Sequence, residues 1–179
     1  MKSNVVLIDS NGNGFKEAVE QARKVSVFND LNQDEELDLL LMTEEMLSLL
    51  NNVYGDIKAS FWIEVEGGTR FELHMAAELI LDKEKRAKLL SLATSRKNEA
   101  ATGFLGRLRD KFEEAMTLDS DKRAEELSSD VLADIPYGIM GEPEWDGYER
   151  SILQSISDEV KIGIRGQKAE ITVCKNYAK

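Results

Sequence analysis

The chain has 179 residues, and its 23 basic and 34 acidic side chains give a formal net charge of −11. That length fits one domain with a sizeable core, and the negative charge argues against nucleic-acid and anionic-membrane partners. Cys174 and His74 are the only residues of their types, which excludes an internal disulfide and any four-thiolate or mixed Cys/His zinc site. We therefore predict no metal site, and we expect a reducing cytoplasm. The first residues contain too short an apolar run for a signal peptide.

The N-terminal third is predicted to contain a strand and two helices. The apolar run over 5–8 ends at an Asn/Gly turn and predicts a strand. Residues 15–27 show helical spacing of apolar side chains, and residues 36–50 form a longer helix with a broad apolar stripe. Either Asn32 or Asp34 is expected to cap this second helix.

Two hairpins are predicted, one in the middle of the chain and one at its end. Apolar and polar residues alternate over 57–65 and 71–75 on either side of Gly67-Gly68, which predicts paired antiparallel strands. His74 is out of step with the apolar residues and should lie on the opposite face of the sheet. The terminal hairpin, over 160–173, follows a helix predicted for 148–159.

Residues 76–116 are predicted as helix, and the segment from Lys83 to Lys111 carries nine basic and three acidic side chains. In this basic segment, Arg96 and Lys97 stand beside hydroxyl residues near a helix start and are candidate anion-binding residues; the alternative is a solvated basic surface. Residues 135–143 are expected to form a loop, and Trp145 beside it could anchor a partner contact that Tyr137 and Met140 extend.

The order of elements predicts an α/β fold and resembles that of the GHKL ATPases, in their anti-sigma-factor serine kinase branch. Two segments carry the resemblance: the long helix with its acidic pair (Leu40–Leu47), directly followed by a hairpin, and the closing run Ile152–Val160. The resemblance implies a single domain over 1–179, with a helical basic insert at about 76–134. It also implies a two-layer sandwich in which a mixed, mostly antiparallel sheet is covered by helices on one face.

The family places a catalytic Glu and a magnesium-binding Asn four residues apart on its long helix. Here Glu44 or Glu45 matches the Glu, as a candidate general base. The positions four residues later hold Ser48, which could offer one oxygen to a metal, and Leu49, which offers none.

The other two nucleotide motifs also depart from the family pattern. The Asp-x-Gly-x-Gly motif after the hairpin is replaced by a run containing Ala77 and Glu78. The Gly-x-Gly motif of the closing helix keeps Gly147 but has Glu149 as its second member. These residues are the matching positions for nucleotide contacts.

We therefore expect a regulatory protein-interaction module on a degenerate GHKL scaffold, without ATP turnover and without a cofactor. The partner is expected to be a protein, with a homodimer as one form of that contact. The alternative is an ATP-binding serine/threonine kinase of the anti-sigma type, for which ATP and Mg²⁺ would be the cofactors. A third alternative is a pocket for another small anion or metabolite.

Overall fold

The computed structural model describes residues 1–51, 57–78, 80–101 and 147–178, and these contain five strands and four helices. In chain order they are β1 (Val6–Asp9), α1 (Phe15–Phe28), α2 (Gln33–Asn51), β2 (Lys58–Glu66), β3 (Arg70–Glu78), α3 (Lys83–Leu92), α4 (Gly147–Ile156), β4 (Glu159–Arg165) and β5 (Lys168–Asn176). The strands form one sheet of order β1-β2-β3-β5-β4, in which every neighbouring pair is antiparallel. The predicted order of elements is confirmed for the described residues.

One face of the sheet forms the core. The strand register aligns Val6, Phe61, Met75, Ile171 and Ile162 side by side across all five strands, and each is at most 6 % exposed. Because side chains alternate between faces along a strand, this alignment makes one face continuously apolar. Residues of all four helices join the same apolar cluster, so the fold is an α/β sandwich. We call the second face, which no helix of the described ranges covers, the open face.

The connection between α1 and α2 is fixed by a capping box. The Asn32 side chain accepts hydrogen bonds from the backbone N–H groups of Asp34 and Glu35, and Glu35 Oε2 accepts one from the Asn32 N–H at 2.9 Å. This reciprocal arrangement satisfies N–H groups that the helix itself cannot pair. Of the two predicted caps, the residue in the cap position is therefore Asn32.

The entry into α1 requires glycine at one position. Gly14 has φ +79°, and a Cβ placed there would lie 2.1 Å from the carbonyl oxygen of Leu7. Only a residue without a side chain can adopt this φ and let the helix start pass so close to β1. The loop over 10–14 thereby packs the first helix directly onto the first strand.

The middle of the chain differs from its sequence prediction. A continuous helix over 76–116 was wrong at two places: residues 76–78 complete β3, and residues 94–100 form turns after α3. The chain leaves the helix at Ala93, and Thr94 then bonds to the backbone of Val160 in β4: its N–H donates to the Val160 carbonyl, and its hydroxyl accepts from the Val160 N–H. The Asn98 side-chain amide donates to the carbonyl of Ile164 and accepts from the N–H of Ile164. These bonds cover the outer edge of β4, which a helix could not do.

The rest of the predicted basic insert, and the predicted loop with Trp145, lie outside the described residues. The last helix also ends earlier than expected, at Ile156, because Glu159 already belongs to β4. No helix in the described ranges is long and apolar enough to cross a membrane.

Candidate functional site

The candidate catalytic carboxylates lie on α2. Glu44 is exposed and Glu45 is half-buried. The Ser48 hydroxyl donates to the backbone carbonyl of Glu45 at 2.8 Å, a local bond that directs it back along its own helix. Leu49, four residues after Glu45, is 2 % exposed and belongs to the core. Of the two positions predicted to match the metal-binding Asn, Leu49 is therefore in the core and Ser48 is half-buried with its hydroxyl bonded to its own helix.

Glu44 and Ser48 line a groove between α1 and α2, which we call the helix groove. Its volume is about 340 Å³, and Phe15, Val19 and Leu47 form its apolar part. The one basic side chain on its lining is Lys16. The structure thus brings two of the predicted site residues together at the outer surface of the helical layer.

Ala77 and Glu78, at the end of β3, point in opposite directions. Ala77 pairs with Ala59 and Ala169 and packs against the core. Glu78 is on the open face, where its carboxylate lies 3.5 Å from Lys168 Nζ. Glu78 therefore lies on the sheet face opposite to the described helices.

Both residues line a broad concavity across the open face, which we call the sheet trough. Its volume is about 900 Å³. Small residues, Ser60, Ala76 and Gly163, lie along it, and both basic and acidic side chains surround them. The residues that line the sheet trough and those that line the helix groove do not overlap.

The remaining predicted residues lie elsewhere. Arg96 and Lys97 are exposed in the turns between α3 and Asn98, and Arg96 has φ +53°. Ser95 in the same turn donates to Glu99 at 2.7 Å. Gly147 is the first residue of α4. The predicted site residues are thus distributed among the helix groove, the sheet trough, a surface turn and the start of α4.

A cluster of polar side chains that was not predicted lies on the open face of β2 and β3. The ring of Trp62 stacks on His74, with centroids 4.9 Å apart and planes 6° from parallel. Glu64 and Glu72 lie opposite each other in the register, and Glu72 is two residues before His74. One ligand atom from each of Glu64, Glu72 and His74 lies within 4.8 Å of the other two. We call these three residues the EEH cluster.

Each carboxylate of the EEH cluster is held through its Oε1 atom. Lys2 Nζ and the indole N–H of Trp62 each donate to Glu64 Oε1 at 2.9 Å. Arg70 binds Glu72 Oε1 with Nε at 2.9 Å and with a terminal nitrogen at 2.8 Å. Both side chains are therefore oriented by hydrogen bonds to their positively charged neighbours.

These contacts keep both carboxylates ionised. Hydrogen bonds from Lys2 and then Trp62 lower the pKa of Glu64. Burial by itself would raise the pKa of Glu72, but the hydrogen bonds and charge of Arg70 bring that pKa below its usual value. The EEH cluster therefore carries two anionic groups at neutral pH.

The two nitrogens of His74 have different surroundings. Nδ1 faces Thr172 Oγ1 at 3.1 Å and Glu170 Oε1 at 3.6 Å. Nε2 is buried, has no hydrogen-bond partner among the described residues, and lies 3.6 Å from Glu72 Oε2. The residue as a whole is 9 % exposed. His74 is thus a buried polar side chain with one nitrogen aimed at a carboxylate.

The sequence contained a signal for the EEH cluster. Glu72 and His74, two residues apart in a strand, share a face, and a hairpin centred on Gly67-Gly68 places Glu64 opposite Glu72. The expectation that His74 lies opposite the core is confirmed by the register. The exclusion of zinc concerned only sites that use thiolates and could not detect a site of carboxylates and one imidazole.

Comparison with known proteins adds no assignment. No protein-family model matches the chain, and no curated protein matches it. Its function must therefore be inferred from the geometry of its own residues.

Proposed function

We propose that the chain is a regulatory protein-interaction module on a scaffold similar to that of the GHKL ATPases, without ATP turnover. The observation that carries this proposal is the state of the two positions that could match the magnesium ligand, four residues after Glu44 or Glu45. Leu49 is a core residue that is 2 % exposed, and the Ser48 hydroxyl donates to the backbone carbonyl of Glu45. Without a bound metal ion, a carboxylate on α2 has no means of neutralising the charge of a triphosphate.

The end of β3 supports the same conclusion. Ala77 has no side-chain atom that could accept a hydrogen bond from an adenine amino group. The neighbouring carboxylate, Glu78, pairs with Lys168 on the other face of the sheet. An adenine at this point of the helical layer would therefore find no polar side chain from either residue.

Exposed apolar side chains on the α1–α2 hairpin support a protein partner. Val27 and Phe28 at the end of α1 are 67 % and 73 % exposed, and Leu37 in α2 is 64 % exposed. Large apolar side chains at the surface are typical of protein contacts. The first turn of α2 carries three acidic residues just before Leu37, so we expect the partner to combine apolar and basic side chains.

A nucleotide titration tests the absence of ATP chemistry. We expect no change in melting temperature with millimolar ATP or ADP and Mg²⁺, whereas a ligand at 100 times its Kd would stabilise the fold by about 2.7 kcal/mol. Magnesium-dependent ATP hydrolysis that is abolished by Glu45→Ala would overturn the proposal and support the serine/threonine kinase.

A variant pair tests the partner surface. Immobilised wild-type protein and Phe28→Asp are compared for the proteins that they retain from native extract. Lys24→Asp is the control, because it is an exposed residue of the same helix and adds negative charge without removing apolar area. We expect a retained protein to be lost with Phe28→Asp and kept with Lys24→Asp, and its binding to weaken at high salt. Equal retention by all three would contradict this surface.

The mass of the isolated protein in solution distinguishes a second copy of the chain from a different partner. A dimer that dissociates in Phe28→Asp identifies the contact as a homodimer. A monomer in both forms leaves the surface for another protein.

A further inference from the structure

We propose that Glu64, Glu72 and His74 bind a divalent transition-metal ion, with Zn²⁺ as the best match. Their ligand atoms lie within 4.8 Å of one another. Zinc–nitrogen and zinc–oxygen bonds of about 2.1 Å place two ligand atoms of a tetrahedral site about 3.4 Å apart. His74 Nε2 and Glu72 Oε2 are 3.6 Å apart, which is too long for a hydrogen bond and close to this ligand–ligand spacing.

The unpartnered nitrogen of His74 is the second observation. Nδ1 faces a hydroxyl and a carboxylate oxygen, and both interactions are favourable when Nδ1 carries the proton. When Nδ1 carries the single proton of the neutral imidazole, Nε2 has a lone pair. This lone pair is buried and faces Glu72 Oε2, with no hydrogen-bond donor between the two atoms. A buried lone pair directed at an anionic oxygen is costly. A cation between the two atoms removes this cost.

The surrounding residues have the arrangement expected of a metal's outer shell. Lys2 and Trp62 hold Glu64 through Oε1, and Arg70 holds Glu72 through Oε1. The second oxygen of Glu72 faces the imidazole. Hydrogen bonds of this kind orient metal ligands, and a Thr172 hydroxyl that accepts from Nδ1–H would leave Nε2 free to bind a metal. Three features of a metal site are thus present: the ligand types, the spacing between Glu72 and His74, and the orienting partners.

The donor set selects among metals. One imidazole nitrogen with two carboxylates is typical of Zn²⁺ and its first-row neighbours, whereas Ca²⁺ and Mg²⁺ favour sites made of oxygen atoms alone. Three protein ligands leave one tetrahedral position for water or for a group from a partner. The Glu64 side chain is 41 % exposed, which provides a route for the ion from solvent.

Zinc titration by calorimetry tests the site, on full-length protein without a polyhistidine tag. We expect one saturable Zn²⁺ per chain in the wild type and in the control Glu78→Gln, which removes one carboxylate from the same sheet face at a residue that contacts Lys168. His74→Gln and Glu72→Gln should lose this binding. Thr172→Val should weaken it about 10-fold, as expected for loss of an outer-shell hydrogen bond.

A spectroscopic titration locates the ion. Because Trp62 stacks on His74, paramagnetic Co²⁺ bound at the site should quench tryptophan fluorescence in the wild type and not in Trp62→Phe. Zn²⁺ added in excess should reverse the quenching. A tetrahedral Co²⁺ complex should also give visible absorption bands.

Several results would overturn the proposal. They are the absence of saturable zinc binding in the wild type, equal binding in His74→Gln, and loss of binding in Glu78→Gln. An imidazole ¹⁵N spectrum that shows both nitrogens protonated at neutral pH with Zn²⁺ present would show that a proton occupies the site instead. If His74→Gln does not fold, Glu64→Gln is the substitute, because this side chain is partly exposed, and unchanged zinc affinity in that variant would likewise contradict the site.

Discussion

Leu49→Asn is the most informative substitution, because it introduces, four residues after Glu45, the residue type that GHKL ATPases use to bind magnesium. If Leu49 is a core residue, the change removes a buried leucine, worth about 1.5 to 3 kcal/mol. It also buries an amide without a partner, which costs about 1 to 3 kcal/mol. The side chains of asparagine and leucine have the same number of heavy atoms, so a cavity adds little to the loss of stability. We expect the variant to be destabilised by about 3 to 5 kcal/mol, with no gain in nucleotide binding.

Ser48→Asn is the companion variant, because it introduces the same side chain at the other matching position, four residues after Glu44, and we expect no gain in nucleotide binding there either. Ser48 is half-buried at the helix groove, so the amide can reach solvent and the cost should stay below about 1 kcal/mol. Urea denaturation followed by circular dichroism measures both variants, and a thermal-shift series with Mg²⁺ and ATP follows. The reasoning is refuted if Leu49→Asn is as stable as the wild type and becomes more stable with nucleotide, since position 49 would then face a binding site.

Three further substitutions test other parts of the structure. Gly14→Ala should be at least about 1 kcal/mol more destabilising than Gly12→Ala in urea denaturation. Both glycines have a positive φ, but only at Gly14 would the new Cβ contact the backbone, 2.1 Å from the carbonyl oxygen of Leu7. Similar costs would show that the contact relaxes freely. Tyr177→Phe should leave the free energy of unfolding unchanged or raise it by up to about 1 kcal/mol, as measured by thermal denaturation. The buried Tyr177 hydroxyl has no hydrogen-bond partner among the described residues, while the ring, which the variant keeps, packs edge-on against Phe71. A clear loss of stability would reveal a partner for that hydroxyl. Asp158→Asn should reduce the dependence of stability on pH. Burial alone would raise the pKa of Asp158, but hydrogen bonds from Asn176 and the charge of Lys175 lower it. Its stabilising contribution is therefore present above the ordinary Asp pKa of about 3.9 and is lost as pH falls through the lowered value. Denaturation at neutral pH and at about pH 2 should show a smaller difference for the variant than for the wild type.

The regular elements could be predicted because their signals are local. Alternation of apolar residues identified β2 and β3, and helical spacing identified α1 and α2, with ends within a few residues of those observed. The prediction failed where a long-range contact overrides local preference. The helical pattern stops where Thr94 exchanges hydrogen bonds with the backbone of Val160, 66 residues away, and no local pattern reports such a bond.

The candidate site shows the same division. The resemblance to the GHKL family supplied Glu44, Glu45 and Ser48 as candidates. The sequence could not show that Leu49 belongs to the core while Ser48 lines the helix groove, since the helical stripe is broad and the packing partner sets its orientation.

By itself, the sequence determined the order of elements, the apolar face of each strand and the acidic character of the chain. These follow from backbone periodicity and from composition, which do not depend on distant residues. The tertiary structure alone decided which polar residues meet. The register of β2, β3 and β5 joins Glu64, Glu72, His74 and Thr172 from three strands, because a sheet brings together residues that are distant along the chain.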